Sequence, residues 1–327
     1  MLICWTQQPH LCIFREDHIL NKLSISRNQL GPIMPEEAKP VICMGSFHWD
    51  EIALSSNLLE KGDDSPGTVH KNPGGVAFNL AKTMTEFGIP VLLASILGDD
   101  AEGQELLNIA ESLGINCELV CEVPEKTGRY VAIEDPRGLV AAIADCDTLE
   151  RNEDALLFRL KNWIASSAGN IDISRVVVDC NLSSHFMENL FNARYFNNYP
   201  INIASASNHK IDRLSNFELN LNTTLYLNRL EAIGFLAGQK NKGFDTKEII
   251  QNLLGRYKRV ILTDGGNKII DADGSNVIGF TPLTIQPHRI TGAGDYFMAA
   301  HMALELLGYS REDALKHASI YVREKIA

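Results

Sequence analysis

Short apolar runs that end in glycine or a small residue alternate with stretches of helical period over most of this chain, and few folds accommodate that alternation. Val41-Ile42-Cys43-Met44-Gly45 reads as a buried strand. Val76 to Phe87 then places Val76, Leu80, Met84 and Phe87 on one helical face, stopped by Gly88 and Pro90. Val91 to Leu97 is a second buried strand, followed by the loop Gly98-Asp99-Asp100 and a helix from Ala101 to Leu113 that ends at Gly114. Further apolar runs at Val176–Val178, Ile201–Ala204 and Val260–Leu262 have helical stretches between them. Strands continuously apolar and separated by helices predict an α/β fold: a mainly parallel central sheet with helices on both faces.

Two stretches break the pattern. Residues 52–72 and 127–147 show the polar alternation of exposed strands, with Asp135-Pro136-Arg137-Gly138 as a hairpin turn between Tyr130–Ile133 and Leu139–Ile143. They predict a small β-sheet projecting from the core as a lid or a dimer surface; a decorated edge of the main sheet is the alternative. Residues 1–39 have no sustained period and end in a proline-rich stretch. They read as an N-terminal extension, non-native or disordered, with Met34 the expected natural start and the folded domain spanning 40–327.

The formal net charge is −11, from 30 Lys plus Arg against 41 Asp plus Glu, with no notable basic block. Nucleic acid and anionic membranes are therefore not expected as partners. No apolar run approaches the roughly 20 residues that span a bilayer. The N-terminus is interrupted by Arg15, Glu16, Asp17 and His18, unlike a signal peptide. Seven scattered cysteines, with no C-x-x-C pair, fit reduced thiols in a cytoplasmic protein.

Chemistry concentrates in Thr291-Gly292-Ala293-Gly294-Asp295, just before the apolar run Tyr296 to Leu307. Small residues let backbone N–H groups converge on an anion, and a helix N-terminus adds partial positive charge. An acid at such a site makes sense as a base that takes the proton of an attacking hydroxyl. Alone, the run would suit equally a turn with an aspartate helix cap. No G-x-x-x-x-G-K-[ST] occurs, which excludes a P-loop, and no G-x-G-x-x-G follows the first strand. Asp50 instead lies just beyond that strand, where open α/β sheets bind ligands, and can accept from two sugar hydroxyls. Asn72-Pro73-Gly74-Gly75-Val76-Ala77-Phe78-Asn79 opens the next helix: its glycines permit close approach, and Asn79 offers a donor and an acceptor.

In this order, these motifs resemble the ribokinase-like (PfkB) carbohydrate kinases over residues 40–327. Gly74-Gly75 to Gly88 and Gly98-Asp99 to Gly103 resemble the family's N-terminal signature, and Thr291 to Asp295 its C-terminal one. Asn228-Arg229-Leu230-Glu231 resembles its Asn-x-x-Glu motif, and Thr263-Asp264-Gly265-Gly266 its nucleotide-side loop. Within the family, Tyr130–Ile133 with Ala142–Asp145, Asp179-Cys180-Asn181-Leu182, and Leu227 to Ala232 are most similar to pseudouridine kinases.

The resemblance implies a three-layer α/β/α core with a small β-sheet lid. It implies phosphoryl transfer from ATP with Mg²⁺, Asp295 acting as the base and the N–H groups of Gly292, Ala293 and Gly294 as an anion hole. Asp50, Gly74, Gly75, Asn79, Asn181 and His48 would bind the acceptor; Asn228, Thr263, Gly265 and Thr291 the nucleotide; and Glu231 the metal, through water. The acceptor implied is a ribose-type nucleoside, foremost pseudouridine. The alternatives are a kinase of a free sugar (ribose or a ketose) and a catalytically weak, ligand-binding family member. A homodimer through the lid is also implied. Departures from the family pattern are His48 for a usual Asn, Phe78 for an Arg, Arg289 for an Asp tied to a monovalent-cation site, and Lys268 for a loop glycine.

Overall fold

The structure, a computed structural model, describes residues 38–62, 64–167, 171–193, 195–215, 222–237, 244–283 and 292–326. Most of the expected extension, including Met34, lies outside these residues, as do Arg289 and Thr291. In chain order the strands are β1 (Val41–Met44), β2 (His48–Ser55), β3 (Gly67–Gly74), β4 (Val91–Gly98), β5 (Asn116–Val123), β6 (Arg129–Asp135), β7 (Gly138–Asp145), β8 (Arg175–Asp179), β9 (Ile201–Ala204), β10 (Thr223–Asn228), β11 (Arg259–Thr263), β12 (Ile269–Asp273) and β13 (Val277–Phe280). The helices are α1 (Val76–Glu86), α2 (Ala101–Ser112), α3 (Asp147–Arg151), α4 (Glu153–Ser166), α5 (Ser184–Asn192), α6 (Arg229–Ala237), α7 (Thr246–Leu254), α8 (Ala293–Leu306) and α9 (Arg311–Ile326).

Nine strands form one sheet in the order β13-β12-β11-β10-β9-β8-β1-β4-β5. All neighbours in it are parallel except the antiparallel pairs β11–β12 and β12–β13. The strand period of two sends alternate residues to opposite faces, and both faces are buried. In β1, Ile42 and Met44 join a core built with α4, α5, α6 and α7, while Val41 and Cys43 join a second core built with α1, α2, α8 and α9. These are the two helical layers expected from continuously apolar strands.

From β1 the chain runs through α1 to β4 on one side, and it returns later to β8 on the other. The crossovers therefore diverge between β1 and β8, and a crevice opens at the carboxyl ends of those strands.

A second sheet has the order β3-β2-β6-β7. It begins at His48, four residues before the stretch that the alternation marked, because β2 runs straight on from the loop after β1. The hairpin turn is where the sequence placed it: Asp135 accepts from the Arg137 N–H at 2.7 Å, and Gly138 takes φ 109°. The root of this sheet is tied to α2. Asp100 caps α2 by accepting from the Gly103 N–H (2.8 Å) and also accepts from the N–H (2.9 Å) and hydroxyl (2.6 Å) of Thr127. Glu102, in the first turn of α2, pairs with Lys71 of β3 at 2.8 Å and Arg129 of β6 at 2.5 Å. No helix among the described residues is long and apolar enough to cross a membrane.

Candidate active site

The crevice between the two sheets is a cleft of about 440 Å³. Its floor is organised by Asp179, a fully buried carboxylate at the end of β8. One oxygen accepts from the Ser46 N–H (2.8 Å), the Ser46 hydroxyl (3.0 Å) and the Ala77 N–H (3.2 Å); the other accepts from the Asn181 N–H (2.7 Å). Ser46 Oγ in turn accepts from the Val76 N–H at 2.8 Å and from Asn181 Nδ2 at 2.9 Å. The end of β1, the start of α1 and the end of β8 thus share one hydrogen-bond hub. Burial of this polar side chain is tolerable because four donors surround it.

On the side nearest the small sheet the cleft is lined by Ser46, His48, Asp50, Gly75, Asn79, Tyr130, Ala144, Cys146 and Asn181. His48 Nδ1 lies 3.3 Å from Asp50 Oδ1. Burial disfavours the charged imidazole, but hydrogen bonding to Asp50 and Cys146 outweighs burial and raises the His48 pKa to about 10. The His48 ring is therefore an imidazolium at neutral pH, held beside Asp50. Gly75 takes φ 95°, and a Cβ there would overlap the carbonyl of Ser46; that close approach lets the Phe78 N–H reach Ser46 O at 3.3 Å. Gly74 does not line the cleft. It ends β3 directly behind Asp50, whose carboxylate occupies the space a side chain would need. Phe78 faces the core, stacked on Phe47 with ring centroids 4.7 Å apart. It is not part of the cleft wall.

Across the cleft, Gly292 caps α8 in the left-handed region, φ 82°. The N–H groups of Ala293, Gly294 and Asp295 precede the first bond of the helix, Tyr296 N–H to Gly292 O at 3.0 Å, and so belong to the donors a helix leaves free. Asp295 Oδ2 accepts from Asn79 Nδ2 at 2.9 Å, which joins the proposed base to the acceptor side. Burial raises the Asp295 pKa to about 7; the Asn79 bond opposes this, and the carboxylates of Asp179, Asp50 and Glu231 reinforce it.

The far end of the cleft, at the ends of β10 and β11, holds Asn228, Glu231 and Thr263. Asn-x-x-Glu forms a capping box at α6: Asn228 Oδ1 accepts from the Glu231 N–H (2.9 Å), and Glu231 Oε2 accepts from the Asn228 N–H (2.7 Å) and the Ser205 hydroxyl (2.5 Å). Glu231 Oε1 makes no hydrogen bond among the described residues, so one oxygen remains for a hydrated cation. A single carboxylate suits magnesium, which keeps several waters. Gly265 sits at φ 55° in an exposed turn and does not line the cleft. Lys268 lays its side chain over Gly279 of β13. A second group of potential metal ligands, Asp271, His301 and Glu305, lies within 4.8 Å of one another. Arg259 and Arg311 occupy both oxygens of Asp271, and Arg259 also pairs with Glu305, so this is an ion-pair network rather than a metal centre.

Residue-type reasoning missed Ser205 and Lys210 and saw Asp179 only as part of a strand end. Ser205-Ala206-Ser207 is a γ-turn: the Ser207 N–H donates to Ser205 O at 2.7 Å, and Ala206 takes φ 62°, the one positive φ outside glycine among the described residues. Backbone of this kind costs of order 1–3 kcal/mol and persists only where its surroundings enforce it. A Ser-Ala-Ser-Asn stretch directly after an apolar strand, with a lysine three residues on from Ser207, was the available signal.

A profile of the pfkB family of carbohydrate kinases matches residues 38–321. The pseudouridine kinase of Escherichia coli K12 is 28% identical over 265 residues, covering 79% of this chain and 81% of that protein. An uncharacterised sugar kinase of the same organism, YeiI, is 25% identical over 335 residues, covering 94% and 87%. Among solved structures, the ribokinase of Arabidopsis thaliana complexed with ribose and ATP superposes with a TM-score of 0.62 at 19% identity, covering 86% of this chain and 91% of that one. With a family match that takes in most of its length, the chain belongs to the pfkB family of carbohydrate kinases and is a phosphotransferase.

Proposed function

We propose that the protein transfers the γ-phosphoryl group of ATP to the primary hydroxyl of a ribose-type nucleoside, foremost pseudouridine, forming the 5′-phosphate. The observation that carries this is the Asn79–Asp295 bond, which sets a carboxyl with a pKa of about 7 between an acceptor cleft and a free helix N-terminus. The nucleoside preference is supported by the wall that Tyr130, Ala144 and Cys146 make from β6, β7 and the residue after β7, an apolar surface of the kind a base stacks on and a free sugar does not need. It is supported also by the likeness to pseudouridine kinase.

Asp50 and Asn79 hold ribose hydroxyls, with Gly75 giving backbone access and His48 and Asn181 at the margin. Asp295 takes the proton as the hydroxyl oxygen bonds to the γ-phosphorus. The bond from that phosphorus to the β,γ-bridging oxygen breaks, and ADP leaves with the electron pair. The N–H groups of Gly292, Ala293 and Gly294 meet the charge on the phosphoryl oxygens, where preorganised donors act most strongly. Glu231, oriented by Asn228 and Ser205, is the residue that holds magnesium through water; the ion when bound neutralises phosphate charge. Asn228 and Thr263 border the nucleotide, with Thr291 and Gly265 assigned to the same end by likeness alone.

The lid sheet exposes Leu54, Val69, Ile133, Leu139 and Ile143, apolar surface that favours a homodimer through the lid. Free thiols at Cys43, Cys117, Cys121, Cys146 and Cys180 suit a cytoplasmic location. A free sugar is the alternative acceptor, favoured by the likeness to a sugar kinase over nearly the whole chain. An ADP-release assay with ATP and magnesium, run against pseudouridine, uridine, ribose and fructose, separates the two. Turnover strongest with pseudouridine is expected; turnover with free sugars alone would discard the nucleoside, and silence across the panel would discard the kinase reaction as described.

A further inference from the structure

We infer that Lys210 binds the transferring phosphoryl group, and that the strained Ser205-Ala206-Ser207 turn serves to hold it there. The proposal rests on the kinase reaction above.

Charge is the first ground. Asp50, Glu231 and Asp295 line the cleft, Asp179 lies beneath it, and Lys210 is the one lysine or arginine among the described lining residues. A triphosphate entering such a cleft meets carboxylates, and a single magnesium ion leaves about half of its charge unbalanced.

Position is the second. In the sheet, β9 lies between β8, whose end carries Asn181 on the acceptor side, and β10, whose end carries Asn228 on the nucleotide side. The loop after β9 therefore stands over the line along which a phosphoryl group passes between them. The γ-turn begins that loop, and the Lys210 N–H then closes on Ser207 O at 3.1 Å. The same turn sends Ser205 Oγ to Glu231 at 2.5 Å. One strained segment thus sets the spacing between the carboxylate assigned to the metal and the ammonium group.

The third ground is that Lys210 is anchored without being neutralised. Its Nζ donates to Asn181 Oδ1 at 2.7 Å, a neutral amide that is itself fixed by Ser46, by Asp179 and by Arg213, which donates to Asn181 O at 2.7 Å. No carboxylate pairs with Lys210 among the described residues. With one N–H given to Asn181, two further N–H donors remain for a ligand.

Lys210→Gln keeps a donor for Asn181 and removes the charge, while Lys210→Arg keeps the charge. For Lys210→Gln, kcat should fall by about 10²-fold with acceptor KM within about threefold, and Lys210→Arg should recover at least about a tenth of the wild-type rate. By calorimetry in magnesium, the Gln variant should bind the non-hydrolysable triphosphate AMP-PNP about tenfold more weakly and ADP nearly as well as wild type. A kcat within about threefold of wild type, a loss confined to acceptor KM, or equal weakening of ADP and AMP-PNP would each overturn the assignment. If wild-type protein phosphorylates no acceptor, the kinase reaction fails, yet the difference between AMP-PNP and ADP binding still decides the place of Lys210.

Discussion

Replacing Asp295 with asparagine is expected to do two opposite things: abolish phosphoryl transfer and stabilise the fold. The folded protein holds the Asp295 carboxyl at a pKa of about 7, against an ordinary 3.8. A raised folded pKa means that the folded state keeps a proton that the unfolded chain releases. Stability from this group is therefore complete below about pH 4 and is lost as pH rises through about 7. Taken at face value the gap amounts to about 4 kcal/mol at pH 8. Asp295 keeps part of its surface open to the cleft, so water softens the penalty, and about 1–2 kcal/mol is the working expectation. Asparagine is neutral and still accepts from Asn79. Urea denaturation should show Asp295→Asn matching wild type near pH 4 and exceeding it by about 1–2 kcal/mol at pH 8, while the acceptor-dependent rate falls at least about 10²-fold. Wild-type kcat/KM should itself rise with pH through about 7 as the base loses its proton. A variant no more stable than wild type at pH 8 would refute the claim that this carboxylate is held against its preference, and retained activity would refute its role.

Substitutions at three other residues probe the cleft. Asp179→Asn turns an acceptor into a donor among N–H groups, and should cost about 3 kcal/mol in chemical denaturation; a loss below about 1 kcal/mol would mean that the hub is loosely held. Glu231→Ala removes both the capping box and the partner of Ser205 and should lower stability by about 2 kcal/mol. Glu231→Gln should keep stability but raise the magnesium concentration for half-maximal rate, and an unchanged magnesium dependence would take Glu231 out of the metal site. Gly75→Ala sets a methyl group into Ser46 O at φ 95° and should cost about 3 kcal/mol or more, read as a lowered Tm; a soluble variant of wild-type Tm would show that α1 can shift.

What the sequence disclosed was whatever repeats locally. The apolar runs of β1, β4, β8, β9 and β11, the helical stripe of α1 and the turn at Asp135–Gly138 all carry their signal within a few residues. The glycines before Asp295 did so too, since a left-handed cap at Gly292 requires a residue without a side chain. By contrast, β10 was not marked, because Asn220 to Thr224 gives its start a polar character that burial between β9 and β11 overrides. The hub at Asp179 joins residues 133 and 102 positions away, and no spacing rule reaches that far. Lys210 went unremarked for a similar reason: its meaning comes from the order of β8, β9 and β10 in the sheet. Phe78 stood out only as a departure from the family pattern, and the helical turn that points Asn79 into the cleft points Phe78 into the core.

Asp50, His48, Tyr130 and Ala144 ride on the small sheet, while Asn228 and Thr263 end strands of the large one and Gly292 and Asp295 open α8, which packs on it. On the proposed roles Asn79 and Asn181 hold the acceptor from the large-sheet core while Asp50 and His48 hold it from the small sheet, so the acceptor is fully gripped only in the subset of conformations in which the sheets face each other at the correct angle. Its apparent affinity is then the intrinsic affinity multiplied by the population of that subset. Substitutions at the Lys71–Glu102–Arg129 ion pairs, which set how the small sheet leans on α2, would change that population. They would alter acceptor affinity from outside the cleft, without removing a single contact to the ligand.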